Sequence, residues 1–214
     1  MSEKKRCVIV GGADIGDYAR VKQYLRADDA IVFCDSGLKH MEALGVKPAL
    51  IVGDFDSHCN PHLDVETIVL PCEKDDTDTV FAIKTGLEKG YRHFYIYGGL
   101  GGKRSDHTSA NLQSLLYLAN RKARGWLFGE NCVWTAIKNS SITLKGEGNV
   151  AVFCFDGVAR GVTLKGLKYE LQNAEVTSDF PIGVSNSMAA EEATVEVTDG
   201  ALLVMYGIGI GEEN

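Results

Sequence analysis

Acidic side chains gather four times along this chain, each time just after a short apolar run. Asp35 follows AIVFC, and Asp54 and Asp56 follow ALIVG. Lys74, Asp75, Asp76, Thr77 and Asp78 follow TIVLP, and the loop Gly98–His107 follows FYIY. Carboxylates sharing one cleft repel each other unless a cation offsets them. Mg²⁺ suits such a set, because it takes hard oxygen ligands, keeps several waters and bridges carboxylates to phosphates. In Asp54-Phe55-Asp56, alternation along an extended segment would turn both aspartates toward one ion and Phe55 toward the core. Gly53 would ease the backbone just before them. A lone Asp-x-Asp is ordinarily a solvated turn; its place after a buried strand favours metal or phosphate chemistry. In the third cluster either Thr77 or Asp78 caps the helix that follows. Lys74 is left to pair with a phosphate oxygen or with Asp78.

In the fourth cluster, Gly98, Gly99, Gly101 and Gly102 lie between a strand and a helix. Backbone N–H groups and a helix start can together cradle an anion there, with Lys103 and Arg104 adding positive charge. The spacing is not that of a Walker A loop, and Gly11-Gly12 does not fit the dinucleotide fingerprint. The Gly11-Gly12 turn therefore reads as structural. His40, His58, His62 and His93 fit no ligand spacing and read as surface or turn residues. His107, beside Asp106 at a helix start, is open to a structural or a catalytic role.

These clusters need elements to position them. The apolar runs from Cys7 to Glu130 are unbroken, as in strands buried on both faces of a parallel sheet. Helical spacing recurs between them at Tyr18–Leu25, Leu38–Leu44, Thr79–Lys89 and Thr108–Lys122. Ligands of open α/β sheets bind beyond the carboxyl ends of the strands, where the acids and glycines lie. From Val133 onward the pattern changes to short, often alternating strands separated by Gly, Asn or Asp, which suggests a sandwich or barrel. The expected fold is α/β. Residues 1–135 form an N-terminal Rossmann-like open parallel sheet domain, and residues 136–214 a C-terminal all-β sandwich domain.

Composition narrows the function classes. The chain has 214 residues, 45% hydrophobic and 24% charged, so it has enough apolar surface for a core and is not expected to be disordered. The formal charge of −7 falls entirely in residues 139–214, with 4 basic and 11 acidic side chains, and argues against nucleic-acid binding. No apolar run approaches a membrane span, and the first residues lack a signal-peptide core. The 6 cysteines form no CxxC pair, and Cys7, Cys34 and Cys154 lie in apolar runs. Reduced thiols in a cytoplasmic protein are expected.

Taken in order, the motifs resemble those of the thiamin pyrophosphokinase family in its bacterial form. The carriers are Asp35-Ser36-Gly37, Gly53–Ser57, Lys74–Asp78, Gly98–His107 with Asn111, Gly166–Leu171, and Ser185-Asn186. The resemblance implies transfer of the pyrophosphoryl group of ATP to the hydroxyl of thiamin, giving thiamin diphosphate and AMP. It implies Mg²⁺ and phosphates held by Asp54, Asp56 and Asp78, with Asp106 and Arg104 acting nearby. Asp35, Lys74, Asp75, Thr77, Gly99, Gly101, Gly102 and Lys103 would line the nucleotide cleft. Ser57, His107 and Asn111 would contact substrate. Ser185 and Asn186 would contribute to the thiamin site of a homodimer whose active sites lie between subunits. Asp78 or Asp106 could accept the hydroxyl proton. Ser36 stands where the family more often has Gly, and the last strand lacks the Trp that some eukaryotic members stack on thiamin, with Tyr206 as a possible substitute.

Two other readings compete. Asp54-Phe55-Asp56 could be the nucleophile loop of an aspartyl-phosphate phosphatase, although His58 is unusual there; a DxD glycosyltransferase leaves the glycine loop unexplained. A non-catalytic nucleotide- or thiamin-sensing module would keep the cleft and bind Mg-ATP without turnover.

Overall fold

The computed structural model describes residues 5–55, 63–71, 73 and 75–213. The chain divides into two units, Met1–Ser114 with Ala123–Glu130, and Leu115–Lys122 with Asn131–Asn214.

Among the described residues, the first unit is built on six parallel strands: β1 (Arg6–Val10), β2 (Ala30–Cys34), β3 (Leu50–Gly53), β4 (Thr67–Val69), β5 (His93–Tyr97) and β6 (Arg124–Phe128). They pair in the order β4-β3-β2-β1-β5-β6. All five residues of β1 are buried, as its unbroken apolar run requires of a strand covered on both faces. Val8 and Val10 pack with Phe33, Val21 and Tyr97 on one face. On the other, helix α3 (Asp78–Glu88) comes so close that a Cβ at Gly86 would stand 2.6 Å from the Phe94 ring. Fully buried side chains such as Phe33, Phe94 and Ile51 each contribute about 1.5–3 kcal/mol.

Further helical segments belong to this part of the chain. Helix α1 (Tyr18–Tyr24) follows β1. A 3-10 helix (Asp35–His40) runs from β2 into α2 (Met41–Leu44), and α4 (Ser105–Ala119) follows β5. The chain lays strands outward from β1 to β4, then restarts at β5 on the other side of β1. The carboxyl ends of β1 and β5 therefore flank the switch point, where such sheets leave a crevice.

The second unit is all-β in its strands: β7 (Cys132–Lys145), β8 (Asn149–Phe153), β9 (Val158–Lys165), β10 (Leu171–Thr177), β11 (Asn186–Ser187), β12 (Glu192–Gly207) and β13 (Gly211–Glu213). β7 and β12 pair antiparallel along their length, with a register shift between Val197 and Ala201. Before the shift β12 also pairs with β9; after it, with β8. Asn139, at φ 47°, accepts a hydrogen bond from Gly200 N at 2.9 Å, so both long strands bend together. A strand that changes partners at a bulge is how one ribbon serves both layers of a sandwich.

The α/β and all-β classes agree with the sequence. Two details differ. Where short strands separated by turn residues are expected from Val133 onward, β12 runs unbroken through Gly200, and β7 starts at Cys132 and spans residues 135 and 136. A glycine in a strand reads as a break in sequence, whereas here it is the bulge that lets pairing continue.

Candidate active site

The segments that follow β2, β3 and β4 bring three carboxylates together. Asp35 opens the 3-10 helix after β2, Asp54 follows β3, and Asp78 opens α3. One oxygen from each lies within 4.8 Å of the others. Like charges at that separation repel by about 3.5 kcal/mol per pair at an effective dielectric near 20. A divalent cation held among them turns that repulsion into attraction, and an all-oxygen donor set suits Mg²⁺.

Local sequence explains the convergence. The pairing of Cys34 with Val52 sets Asp35 beside Gly53. A Cβ at Gly53 would stand 2.8 Å from Asp35 Cβ and 3.1 Å from its Cα, so only glycine lets the buried aspartate settle against β3. At α3, Thr77 rather than Asp78 is the cap: its Oγ1 accepts from Val80 N at 3.2 Å. Asp78 is thereby left to face the other two acids, next to the positive end of the helix. Burial pushes the neighbouring Cys34 thiol far up, so it stays protonated and adds no thiolate ligand.

Phe55 is left-handed at φ 56° and half-buried, where an extended conformation is expected. The third carboxylate of the described group is Asp35, from a neighbouring strand, where sequence spacing points to Asp56. Asp56, Ser57 and Lys74 lie outside the described residues, as do His58 and His62. Asp75 is exposed, and Asp76 pairs with Lys84 at 2.6 Å.

The glycine loop is tied down on several sides. Gly98, Gly101 and Gly102 have φ of 63°, 75° and 78°, which explains their residue type. Gly11 N donates to Tyr97 O and Ala13 N to Gly98 O, both at 2.8 Å, so the turn after β1 is indeed structural and braces the loop after β5. Asn111 is buried and donates through Nδ2 to Gly99 O at 2.8 Å; a Cβ at Gly99 would crowd it at 3.1 Å. Gly101 N donates to Thr108 Oγ1 at 3.1 Å, so this amide faces α4. Asn111 thus supports the loop from behind.

Lys103, Arg104, Asp106 and His107 are exposed at the start of α4. Arg104 grips Asp106 through two nitrogens, at 3.0 and 2.7 Å, and this hydrogen bonding pushes the Asp106 carboxyl down to about 2. A carboxylate so weakly basic is a poor acceptor for a hydroxyl proton. The folded-state value is depressed, so the pair's small contribution to stability is complete above the ordinary carboxylate range and disappears as pH falls through about 2. Arg104→Met is expected to return Asp106 to the ordinary range near 4, read by carboxyl NMR titration, with only a slightly lower melting temperature because the pair is exposed.

In the second unit, Asn186 is buried and acts as a clamp. Its Oδ1 accepts from Tyr169 N at 2.9 Å and Ser187 N at 3.0 Å, and its Nδ2 donates to Tyr169 O at 2.7 Å. Lys168 N donates to Ser187 O at 2.9 Å, so the Gly166–Leu171 and Ser185-Asn186 motifs form one structural unit. Ser185 is exposed and left-handed at φ 58°. Asn186→Ala should lower stability by about 1–3 kcal/mol, seen as a lower denaturation midpoint, because it removes the hydrogen bonds of a buried amide to the part-buried backbone of Tyr169. Tyr206 is buried and bonds Glu212 at 3.3 Å, which does not suit a stacking platform for substrate.

Comparison with known proteins follows the same division. Residues 21–127 match the family description "Thiamin pyrophosphokinase, catalytic domain", and residues 138–202 match "Thiamin pyrophosphokinase, vitamin B1 binding domain". The chain belongs to the thiamin pyrophosphokinase family. Thiamine pyrophosphokinase of Bacillus subtilis (strain 168) is 26% identical over 184 residues, covering 80% of this chain and 84% of the relative. The crystal structure of thiamine pyrophosphokinase from Bacillus subtilis superimposes with a TM-score of 0.83 at 23% identity, over 95% of this chain and 99% of that one. Thiamin pyrophosphokinase from Geobacillus thermodenitrificans gives a TM-score of 0.81 at 25% identity, over 94% and 97%. Family membership makes the chain a thiamin diphosphokinase and removes the phosphatase and sensor readings. Among the described residues, Asp35, Asp54 and Asp78 are brought together.

The residue that sequence reasoning misjudged most is His40. It is 3% exposed, not at the surface, and both ring nitrogens have partners. No spacing signal marks it, because its partners lie on the β1–α1 loop and on α1.

Proposed function

We propose that this chain transfers the pyrophosphoryl group of ATP to the hydroxyl of thiamin with the Asp35, Asp54 and Asp78 carboxylates as its metal site. The observation that carries this reading is their convergence at the strand ends of the unit that bears the glycine loop. Mg²⁺ held there would supply charge neutralisation for the phosphate oxygens. Phosphoryl-type displacement depends on positioning and charge neutralisation more than on covalent help.

The protein's own groups supply the rest. Lys103 and Arg104 place positive charge at the loop, and Gly99 and Gly102, lacking side chains, let its backbone come close to the phosphates. To the nucleotide cleft we also assign Asp56, Lys74, Asp75 and Thr77, and to substrate contact Ser57 and His107. Asp106 keeps Arg104 oriented. Asn111 and Asn186 act by holding the backbone that contacts ligand. Ser185 presents its hydroxyl to thiamin from the 136–214 domain, opposite the 1–135 domain of a partner subunit. Exposed Phe180, Ile182 and Val184 next to Ser185 support burial against a second copy. We assign the chain to the cytoplasm; free Cys7, Cys34, Cys132 and Cys154 suit a reducing compartment. Among the described residues no helix is long and apolar enough to cross a membrane.

The test is an end-point assay with ATP, Mg²⁺ and thiamin in which AMP and ADP are separated by chromatography. Thiamin-dependent AMP with equimolar thiamin diphosphate is expected. ADP would mean single-phosphoryl transfer, and no turnover would overturn the reading.

A further inference from the structure

His40 occupies a place that the chemistry above does not use. It ends the 3-10 helix that begins with Asp35, and its ring is buried at 3% exposure. Its Nε2 lies 2.9 Å from Ala13 O, an acceptor, so Nε2 carries the proton. Nδ1 then accepts from the Tyr18 hydroxyl at 2.7 Å. Ala13 in turn donates its N–H to Gly98 O at 2.8 Å, and a Cβ at Gly102 would rest 3.7 Å from Ala13 Cβ. A continuous path of hydrogen bonds and packing therefore runs from the Asp35 helix through His40 and Ala13 to the glycine loop.

We propose that His40 is a positioning residue that fixes the glycine loop in register with the carboxylate group. The inference rests on the pyrophosphokinase reading: the two ends of one short helix hold the two sides of the triphosphate cleft. Asp35 sets the carboxylate side, and His40 sets the loop side. Burial keeps the imidazole below its ordinary pKa, so the neutral ring that this bonding needs is the form present at pH 7. Tyr18, Lys39 and Asp14 are the ionisable groups around it. Because Ser185 of the 136–214 domain is the proposed hold on thiamin, thiamin binding should depend on this link much less than Mg-ATP binding does.

The test measures Mg-ATP affinity by calorimetry, and kcat and KM for each substrate, in His40→Leu, His40→Gln and Tyr18→Phe. His40→Leu is expected to weaken Mg-ATP about tenfold, the scale of one lost buried hydrogen bond. KM for thiamin should stay within about twofold, a split that general destabilisation does not produce. Gln can offer an N–H toward Ala13 O, so His40→Gln should recover Mg-ATP affinity to within about threefold of the native protein. Tyr18→Phe keeps the Ala13 bond and should weaken Mg-ATP about two- to threefold, which decides the matter if His40→Leu does not fold. Unchanged Mg-ATP affinity in the folded variants, or equal loss for both substrates without rescue by Gln, would overturn the proposal. If the native protein makes no AMP, the pyrophosphokinase reading fails by itself, and calorimetry with Mg-ATP still decides the role of His40.

Discussion

Asp54→Asn is expected to abolish thiamin-dependent AMP formation, by about 10²–10³-fold or more, while making the metal-free protein more stable. The two effects have one cause. Three carboxylate oxygens within 4.8 Å repel each other in the absence of a cation, and neutralising one removes two of the three repulsions. The same change removes a charged ligand from any Mg²⁺ bound there and weakens the electrostatic stabilisation that transfer requires. Thermal unfolding with and without Mg²⁺ separates the effects. Native protein should gain stability with rising Mg²⁺, as ligand linkage demands. The variant should start higher and gain less. If the variant melts lower without metal and responds to Mg²⁺ as the native protein does, Asp54 is not part of a cation site.

Gly53→Ala is expected to be nearly as damaging to activity although it adds one methyl group and no charge. That Cβ would lie 2.8 Å from Asp35 Cβ, 3.1 Å from its Cα and 3.2 Å from its N. Two of these neighbours are backbone atoms, so the clash is relieved by moving β2 away from β3 and not by a rotamer change. Asp35 then leaves the group, and activity should fall about 10²-fold, since a 1 Å misplacement can cost that much. Stability should fall by about 1–3 kcal/mol, typical of overpacking. Turnover and urea denaturation on the same preparation check both. Near-native turnover would show that the Asp35 position does not matter.

Much of this site is legible in the sequence, because ligands of open α/β sheets gather at strand ends. Asp35, Asp54 and Asp78 each stand out as acids after buried runs, and unbroken apolar segments imply the parallel sheet. Which of the acids meet is not legible there. For Asp35 and Asp54 that depends on the register of β2 against β3, which leaves no mark in a local pattern. Asn111 and Asn186 carry motif positions, yet their buried amides serve the backbone of Gly99 and Tyr169. A motif shows that a residue matters; only its hydrogen bonds say whether it touches ligand or holds what does. His40 shows the opposite case, a residue with no sequence signal whose partners are all distant in the chain.

The bend shared by β7 and β12 also bears on how the chain acquires its shape during synthesis. Cys132 must find Gly207 and Lys145 must find Glu192, and both β8 and β9 wait for the same late strand. Such distant pairings form slowly, because much chain entropy is lost before any pairing energy is recovered. The parallel sheet has no such delay, since its last strand ends at Phe128. A nascent chain can therefore carry an assembled triad of acids while β7 still lacks its antiparallel partner. That interval is when its unpaired edge is most exposed to association with other chains.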